Sequence, residues 1–183
     1  CSARGRRLAL AELAATGPLA AGASFTVPKL TYAGCGVAVV VDVDVETGQI
    51  DIRKIVVGAD VGRAVNPALI EAQLAGGAAF GIGNAVLESL QYDAGGQLLT
   101  GTLLDYALPL TVDVPLVDAF YQEIPAHTNP LGLRGVGECG NPGLGAAVAN
   151  AVCDALRELG VSLTALPATP ARVRAAIEAA ARR

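Results

Sequence analysis

Alternating apolar and polar residues mark a strand in the first third of the chain. Valine occupies every second position from Val37 to Val45, which is the period of a β-strand that buries one face. The sequence "ETG" at 46–48 then provides turn residues, and the strand pattern resumes at Gln49. The stretch 36–58 is therefore predicted to form a β-hairpin.

A long apolar stretch after this hairpin is unusually rich in glycine. Pro67 is a favourable first helical residue, and the helix is predicted to run to about Leu90. It contains the sequence "QLAGGAAFGIGNA", with glycines at 76, 77, 81 and 83. Each glycine inside a helix costs about 1 kcal/mol relative to alanine. We expect close approach of another backbone or of a ligand to offset that cost.

The other elements follow from shorter signals. We predict a short helix at 8–15, a connector at 17–30, a second hairpin turning at "DAGGQ" (93–97) and a strand at 115–124. Two further helices are predicted at 142–159 and 169–183, with Asn141 and Thr169 as their N-caps and a proline following each cap. Strands and helices do not alternate regularly, which predicts an α+β fold. In it, β-hairpins and a mixed sheet pack with the glycine-rich and C-terminal helices.

Composition and charge exclude several classes of function. Apolar residues make up 52% of the 183 residues and aromatic residues 4%, so we expect a folded core built from small side chains. A net charge of −4 argues against a nucleic-acid-binding surface. The four cysteines lack C-x-x-C spacing, and His127 is the only histidine, so we expect no metal site built from this chain alone. No signal peptide or membrane-spanning run is evident, so we expect a cytoplasmic protein with reduced thiols.

One carboxylate stands out in the loop "NPLGLRGVGECGNPG" at 129–143, where Glu138 lies among five glycines. It precedes a predicted helix, whose free backbone N–H groups stabilise a negative charge by about 1 kcal/mol or less. Glu138 is therefore interpreted either as a helix-end charge or as a general base, which must be ionised and close to its proton donor. The residues around it leave both interpretations open.

Other polar residues give weaker signals. Gln73 lies one helical turn before the paired glycines, and is either an exposed helical side chain or an amide that binds a ligand on the glycine face. His127, Asn129 and Asp60 are interpreted as turn or capping residues. Cys139 is interpreted as a small buried residue rather than a reactive thiol, since no basic partner lies nearby in the sequence.

Several segments together resemble one family. They are "VDVDVETGQIDIRKIVVGADVGRAVNPALIEAQLAGGAAFGIGNAVLESLQYD", "LLDYALP", "TNPLGLRGVGECG" and "LPATPARV". The chain resembles the C-terminal part of the large, molybdopterin-binding subunit of molybdenum hydroxylases, the xanthine dehydrogenase and aldehyde oxidase family. It is most similar to the carbon-monoxide-dehydrogenase-like bacterial branch. Its departures from the family pattern are Ala72, Phe80, Arg134 and the sequence "CGNPG" that follows Glu138.

The resemblance implies roles for individual residues. Glu138 corresponds to the family's general base, which activates a hydroxyl at the molybdenum so that an aldehyde, N-heterocycle or similar small substrate is oxidatively hydroxylated. The resemblance also implies that four residues contact the cofactor, namely Gln73, Gly76, Gly77 and Gly137. It implies no metal ligand from this chain.

The resemblance further implies an assembly. Molybdopterin, in its cytosine dinucleotide form and carrying molybdenum, would be shared with the remaining part of the large subunit. Iron–sulfur clusters and FAD would lie on partner subunits. Residues 1–33 would continue an upstream domain, and residues 34–183 would form the C-terminal cofactor-binding domain. We expect a split subunit, a fragment or a remnant. The alternatives are a non-catalytic cofactor-clamping or assembly module, in which Glu138 caps a helix, and a self-contained metal-free enzyme.

Overall fold

The computed structural model describes residues 2–3, 6–7, 9–18, 20–26 and 29–182. Its helices and strands, in chain order, are β1 (Ser2–Ala3), β2 (Arg6–Arg7), α1 (Leu10–Ala14), β3 (Cys35–Val43), β4 (Ile50–Asp60), α2 (Pro67–Ile82), β5 (Val117–Gln122), α3 (Leu144–Ala155) and α4 (Pro170–Ala180). A π-helical turn, Gly83–Leu87, continues α2, and a 3₁₀ turn, Arg157–Leu159, follows α3. The predicted α+β class is confirmed.

The central sheet has the order β3-β4-β5 and is mixed. Strands β3 and β4 are antiparallel, whereas β5 runs parallel to β4. The predicted hairpin is confirmed, and Asp44 accepts a hydrogen bond from the N–H of Glu46 (2.8 Å) to shape its turn. Gly48 has φ of 77° in this turn, a left-handed conformation that glycine adopts without steric cost. The predicted strand at 115–124 is confirmed as β5.

The core lies between one face of the sheet and the helices. Helix α3 packs on β3, and α2 packs against β5 and β4. The largest fully buried side chains, which come from β4, all three long helices and the turn after α3, are Ile55, Val57, Leu74, Ile82, Leu144, Val148, Val152, Leu156 and Val173. The opposite face of the sheet is open, with Val40 56% and Phe120 59% exposed.

Helix α2 begins at Pro67 as predicted but ends earlier than predicted. The regular helix stops at Ile82, and the π-helical turn carries the chain to Leu87 rather than Leu90. The N–H of Glu88 donates to the carbonyl of Gly83 (2.7 Å), and Glu88 itself is extended. The side chain of Glu88 folds back over Gly83, where a Cβ would collide with it. The helical segment therefore ends where the backbone of Glu88 becomes extended.

The predicted second hairpin does not form as a pair of strands. Only a single bridge, between Tyr92 and Leu98, flanks the turn. The turn itself is well made, because Asp93 accepts hydrogen bonds from the N–H groups of Gly95 (2.8 Å) and Gln97 (2.9 Å). A two-stranded hairpin is marginal without a further strand or helix to pack on, and Leu99 beside it is exposed.

The start of α3 also differs from the prediction. Its N-cap is Gly143 and not Asn141, because the chain first makes a turn in which the N–H of Leu144 donates to the carbonyl of Asn141 (3.0 Å). The Asn141 amide oxygen instead faces Gly81 of α2. The helix ends at Ala155, before the predicted residue 159, and the 3₁₀ turn completes the segment.

Helix α4 matches its prediction at the N-terminus, since Thr169 accepts a hydrogen bond from the N–H of Arg172 and Pro170 is the first helical residue. Helix α1 is shorter than the predicted 8–15, whose Leu8 lies outside the described residues. The connector at 17–30 has no helix or strand where it is described. Within the described part of the chain, no helix is both long enough and apolar enough to cross a membrane.

Candidate functional site

Glu138 lies in a tight turn, 137–140, a few residues before α3. The N–H of Cys139 donates to the carbonyl of Val136 (3.1 Å), and the N–H of Asn141 donates to the carbonyl of Glu138 (3.0 Å). The side chain of Glu138 is exposed. Among the described residues, its carboxylate accepts no hydrogen bond and forms no ion pair. The backbone of the turn is therefore fixed, while its carboxylate is free.

The C-terminal end of this turn is pressed against α2. A Cβ placed on Gly77 would lie only 2.9 Å from the Cα of Gly140, and a Cβ placed on Gly140 would lie 2.9 Å from the N of Ala78. Side chains cannot occupy such positions without displacing backbone. The close backbone approach that the sequence predicts for the glycine-rich helix is therefore confirmed at Gly77, and the approaching segment is the Glu138 loop of the same chain.

The N-terminal end of the loop is held by Arg134. Its Nε lies 3.1 Å from the carboxylate of Asp60 and also donates to the carbonyl of Ile124 (3.1 Å), and its Nη1 donates to the carbonyl of Tyr32 (2.5 Å). The side chains of Arg134 and Asp60 are 21% and 14% exposed, so this ion pair is mostly shielded from water. The backbone N–H of Arg134 donates to the carbonyl of Val61 (3.1 Å), which fastens the loop to the end of β4.

Asp60 and Asn129 brace the loop, as their interpretation as turn residues predicts. Asp60 accepts hydrogen bonds from the N–H groups of Gly62 and Ile124, each 3.1 Å long. These bonds and the charge of Arg134 hold the pKa of Asp60 below its usual value. Asn129 exchanges two 2.9 Å hydrogen bonds with the backbone of Leu133.

Beside the contact between Gly77 and Gly140, both α2 and the Glu138 loop have backbone that no side chain covers. Gln73 is exposed on α2, directly before Leu74, whose carbonyl oxygen faces Gly140. Apart from the adjoining backbone, no atom of the described residues lies within 4 Å of the position that a Cβ would take at Gly76, Gly135 or Gly137. This arrangement fits a bulky ligand that approaches the backbone closely. The described residues include no cluster of three or more His, Cys, Asp or Glu side chains placed to hold a metal ion.

Cys139 is buried beneath the turn, as predicted. Its Sγ lies 3.6 Å from the carbonyl oxygen of Gly135. Burial, and then the neighbouring thiol of Cys35, raise the pKa of Cys139. His127 is exposed, and within the described range its side chain makes no hydrogen bond. Sequence reasoning missed the bracing role of Arg134, because its partner Asp60 belongs to a distant strand.

The comparisons with known proteins agree with this architecture. Residues 3–115 match the family described as molybdopterin cofactor-binding domain. The chain is 40% identical over 143 residues to the nicotine 6-hydroxylase large subunit of Paenarthrobacter nicotinovorans. The aligned region covers 78% of this chain and 17% of that subunit. The chain belongs to the molybdenum hydroxylase large-subunit family. The resemblance stated from the sequence is thereby confirmed.

Solved structures of this family show the same fold. Quinoline 2-oxidoreductase from Pseudomonas putida 86 aligns with a TM-score of 0.77 and 38% identity, over 80% of this chain and 19% of that one. The Cu,Mo-CO dehydrogenase in its carbon-monoxide-reduced state aligns with a TM-score of 0.81 and 29% identity, over 86% of this chain and 20% of that one. The chain thus spans about a fifth of the length of these relatives.

Proposed function

We propose that this chain supplies the general base of a molybdenum hydroxylase, and that the base is Glu138. One observation carries the proposal. The carboxylate of Glu138 is exposed and without a partner among the described residues, while the turn that bears it is fixed by Arg134 on one side and by Gly140 on the other. A general base needs this combination of a free carboxylate and a defined position.

The proposed reaction is oxidative hydroxylation of an aldehyde, an N-heterocycle or a similar small substrate. An oxygen derived from water is added to the substrate carbon, and two electrons and two protons are released. Molybdopterin with molybdenum, in its cytosine dinucleotide form, would supply the two-electron chemistry. Glu138 accepts the proton of the oxygen nucleophile, and its position next to bare backbone lets the reacting groups approach it.

The proposed cofactor contacts come from both segments of the site. Gln73 presents an exposed amide, and Gly76 and Gly137 present backbone with open space around it. Gly77 is closed off by Gly140 on the side where its Cβ would lie, so it acts on the site by letting the turn lie on α2. A direct contact between Gly77 and the cofactor stays a prediction.

Exposed apolar surface supports a proposal about the partners. Leu103, Leu104 and Leu116 are 77%, 94% and 88% exposed, and the open sheet face carries Val40 and Phe120. Large exposed apolar patches mark interaction sites. We propose that the remaining part of the molybdopterin subunit covers them, and that electrons pass to iron–sulfur and FAD subunits in the cytoplasm. Helix α1 buries no side chain, but the family match over residues 3–115 and the hydrogen bond from Arg134 to Tyr32 both cross the boundary between 1–33 and 34–183, so that division stays a prediction.

The alternative is a clamping or assembly module in which Glu138 caps a helix. The cap of α3 is Gly143, and no side chain caps this helix. Glu138 therefore does not act as the N-cap of α3, which counts against this alternative.

The test is Glu138→Gln in the assembled enzyme. The amide keeps the size of the side chain but cannot accept the proton, so kcat is expected to fall by about 10²–10⁴-fold. Cofactor content and thermal midpoint are expected to stay unchanged, and the acidic limb of the pH–rate profile is expected to disappear. Glu158→Gln, an exposed carboxylate in the 3₁₀ turn, is the matched control. Normal turnover with the acidic limb intact would remove the catalytic assignment.

A further inference from the structure

Cys35 lies at the first position of β3, on the face of the sheet that covers the core. It pairs directly with Ala59 of β4. Residues directly opposite in an antiparallel pair point to the same face, and Ala59 is only 5% exposed and belongs to the core. The side chain of Cys35 therefore points toward the helices, yet its position at the strand end leaves it exposed.

Cys139 lies in the core that this face of the sheet covers. It is 8% exposed and belongs to the same core cluster as Ala59. The chain beyond it stays beside β3, since a Cβ on Gly143 would lie 3.2 Å from a methyl carbon of Val37. Val37 is the next residue after Cys35 on the core face of β3. The proximity of the two thiols also accounts for part of the raised pKa of Cys139.

We propose that Cys35 and Cys139 form a reversible disulfide that ties the Glu138 turn to the end of β3. The turn would then be held by a third attachment, in addition to Arg134 and Gly140. Among the described residues, Cys35 is exposed whereas Cys139 is buried. Exposed thiols react first with external oxidants, and a buried neighbour then resolves the adduct.

The chemistry requires a small disulfide such as oxidised glutathione. The thiolate of Cys35 attacks one of its sulfurs, forms a mixed disulfide and releases one glutathione thiolate. Cys139, once deprotonated, attacks the Cys35 sulfur and releases the second glutathione. The two protein thiols are oxidised by two electrons in total, the glutathione disulfide is reduced to two thiols, and the two protons lost by the protein thiols are taken up by the two glutathione thiolates.

The disulfide would not depend on the catalytic role proposed for Glu138. Glu138→Gln is expected to leave its formation unchanged, so the two proposals fail or succeed separately. The disulfide is expected to restrict the motion of the Glu138 turn. The measurement is the thermal midpoint, which should be higher for the oxidised protein than for the reduced protein.

The experiment treats the purified native protein with oxidised glutathione, quenches it with acid and maps its peptides by mass without reduction. The expected product joins the peptides that contain Cys35 and Cys139, is lighter by two hydrogen atoms, and is reversed by dithiothreitol. The control Cys153→Ala is expected to give the same product, while Cys35→Ser is expected to abolish it. A stable glutathione adduct on Cys35 without the link, or a link from Cys139 to any other cysteine, would overturn the proposal.

Discussion

The two ends of the Glu138 loop are attached to the fold by different forces. At Arg134 the attachment is polar, with an ion pair to Asp60 and hydrogen bonds to two carbonyl groups. At Gly140 it is steric, because the backbone of the loop lies against the backbone of α2 at Gly77. The first depends on charge and therefore on pH, whereas the second depends only on the absence of side chains.

This difference explains why Glu138 can remain free. If Glu138 itself attached the loop to the fold, its carboxylate would be neutralised by a nearby cation, as the carboxylate of Asp60 is by Arg134. Here Asp60 takes the ion pair, and glycine contacts hold the other end without any charge. The carboxylate of Glu138 is thus left without a partner among the described residues, on a backbone that is nonetheless fixed.

The largest effect on stability is expected from Gly140→Ala. The added Cβ would collide with the carbonyl oxygen of Leu74 and lie 2.9 Å from the N of Ala78. Backbone has to move to relieve this overlap, so we expect a loss of about 3 kcal/mol, the upper part of the range for overpacked sites. Urea unfolding at neutral pH measures it.

Gly135→Ala in the same loop is the matched control, because beyond its chain neighbours no atom of the described structure lies within 4 Å of its Cβ position. It is expected to unfold at nearly the same urea concentration as the unmodified protein. Equal stability of the two variants would mean that the loop does not rest on α2 in solution, and that the steric attachment is absent.

The polar attachment is expected to contribute less. Arg134→Met keeps much of the aliphatic length of the side chain but removes the hydrogen bonds to Ile124 and Tyr32 and the ion pair. Hydrogen bonds to charged groups contribute about 1.5–3 kcal/mol, and we expect a net loss of about 2 kcal/mol by urea unfolding. Arg157→Met removes an ion pair whose side chains are 79% and 75% exposed, and such pairs contribute little. A loss as small as that of Arg157→Met would show that the polar attachment is dispensable.

Local sequence patterns correctly predicted those helices and strands whose ends are determined by residues adjacent in the sequence. The β3–β4 hairpin followed from its period of two and its turn, and the start of α4 followed from Thr169 and Pro170. The start of α3 was not predictable in this way. It depends on Asn141 turning toward Gly81, a residue of another helix, and no signal near Asn141 reveals that contact.

The site was predictable to a similar degree. Glu138 could be singled out because it is the one carboxylate in a glycine-rich loop. The adjacent glycines 76 and 77 are indistinguishable in the sequence, but the structure leaves the first open and closes the second with Gly140. A glycine that packs against another part of the chain can be distinguished from one that is available to a ligand only by its neighbours in the folded structure.

The pH dependence of stability should separate the two attachments. Hydrogen bonds from Gly62 and Ile124 and the charge of Arg134 lower the pKa of Asp60 in the folded state. The folded protein therefore binds this proton less tightly than the unfolded protein does. The stability that Asp60 contributes is present above the ordinary carboxyl pKa of about 3.9, and is lost as the pH falls through the lowered folded value.

Asp60→Asn should accordingly flatten the acid side of the stability profile. We expect its thermal midpoint to be lower than that of the unmodified protein at neutral pH, and the difference to shrink as the pH falls below about 4. Asp154→Asn, at the C-terminal end of α3, controls for the loss of one negative charge. A difference that stays constant down to the acid range would mean that the carboxylate charge of Asp60 does not contribute to the attachment.

The smallest change in stability, and one of opposite sign, is expected from Gly76→Ala. Gly76 is helical and exposed, and outside its own helix backbone no described atom lies within 4 Å of its Cβ position. Alanine is favoured over glycine inside a helix by about 0.5–1 kcal/mol, so the variant should be more stable by that amount. Gly77→Ala, one residue further on, is expected to be destabilised because its Cβ would lie 2.9 Å from the Cα of Gly140.

The same pair of variants tests the proposed cofactor surface. If Gly76 lies against the cofactor, its added methyl group occupies the space that the cofactor needs, so the assembled enzyme should bind less molybdopterin although the chain itself is more stable. Cofactor content per subunit and the urea midpoint, measured on one preparation, separate these effects. Full cofactor content in a stabilised Gly76→Ala enzyme would remove Gly76 from the proposed contacts and leave Gln73 and Gly137 to carry them.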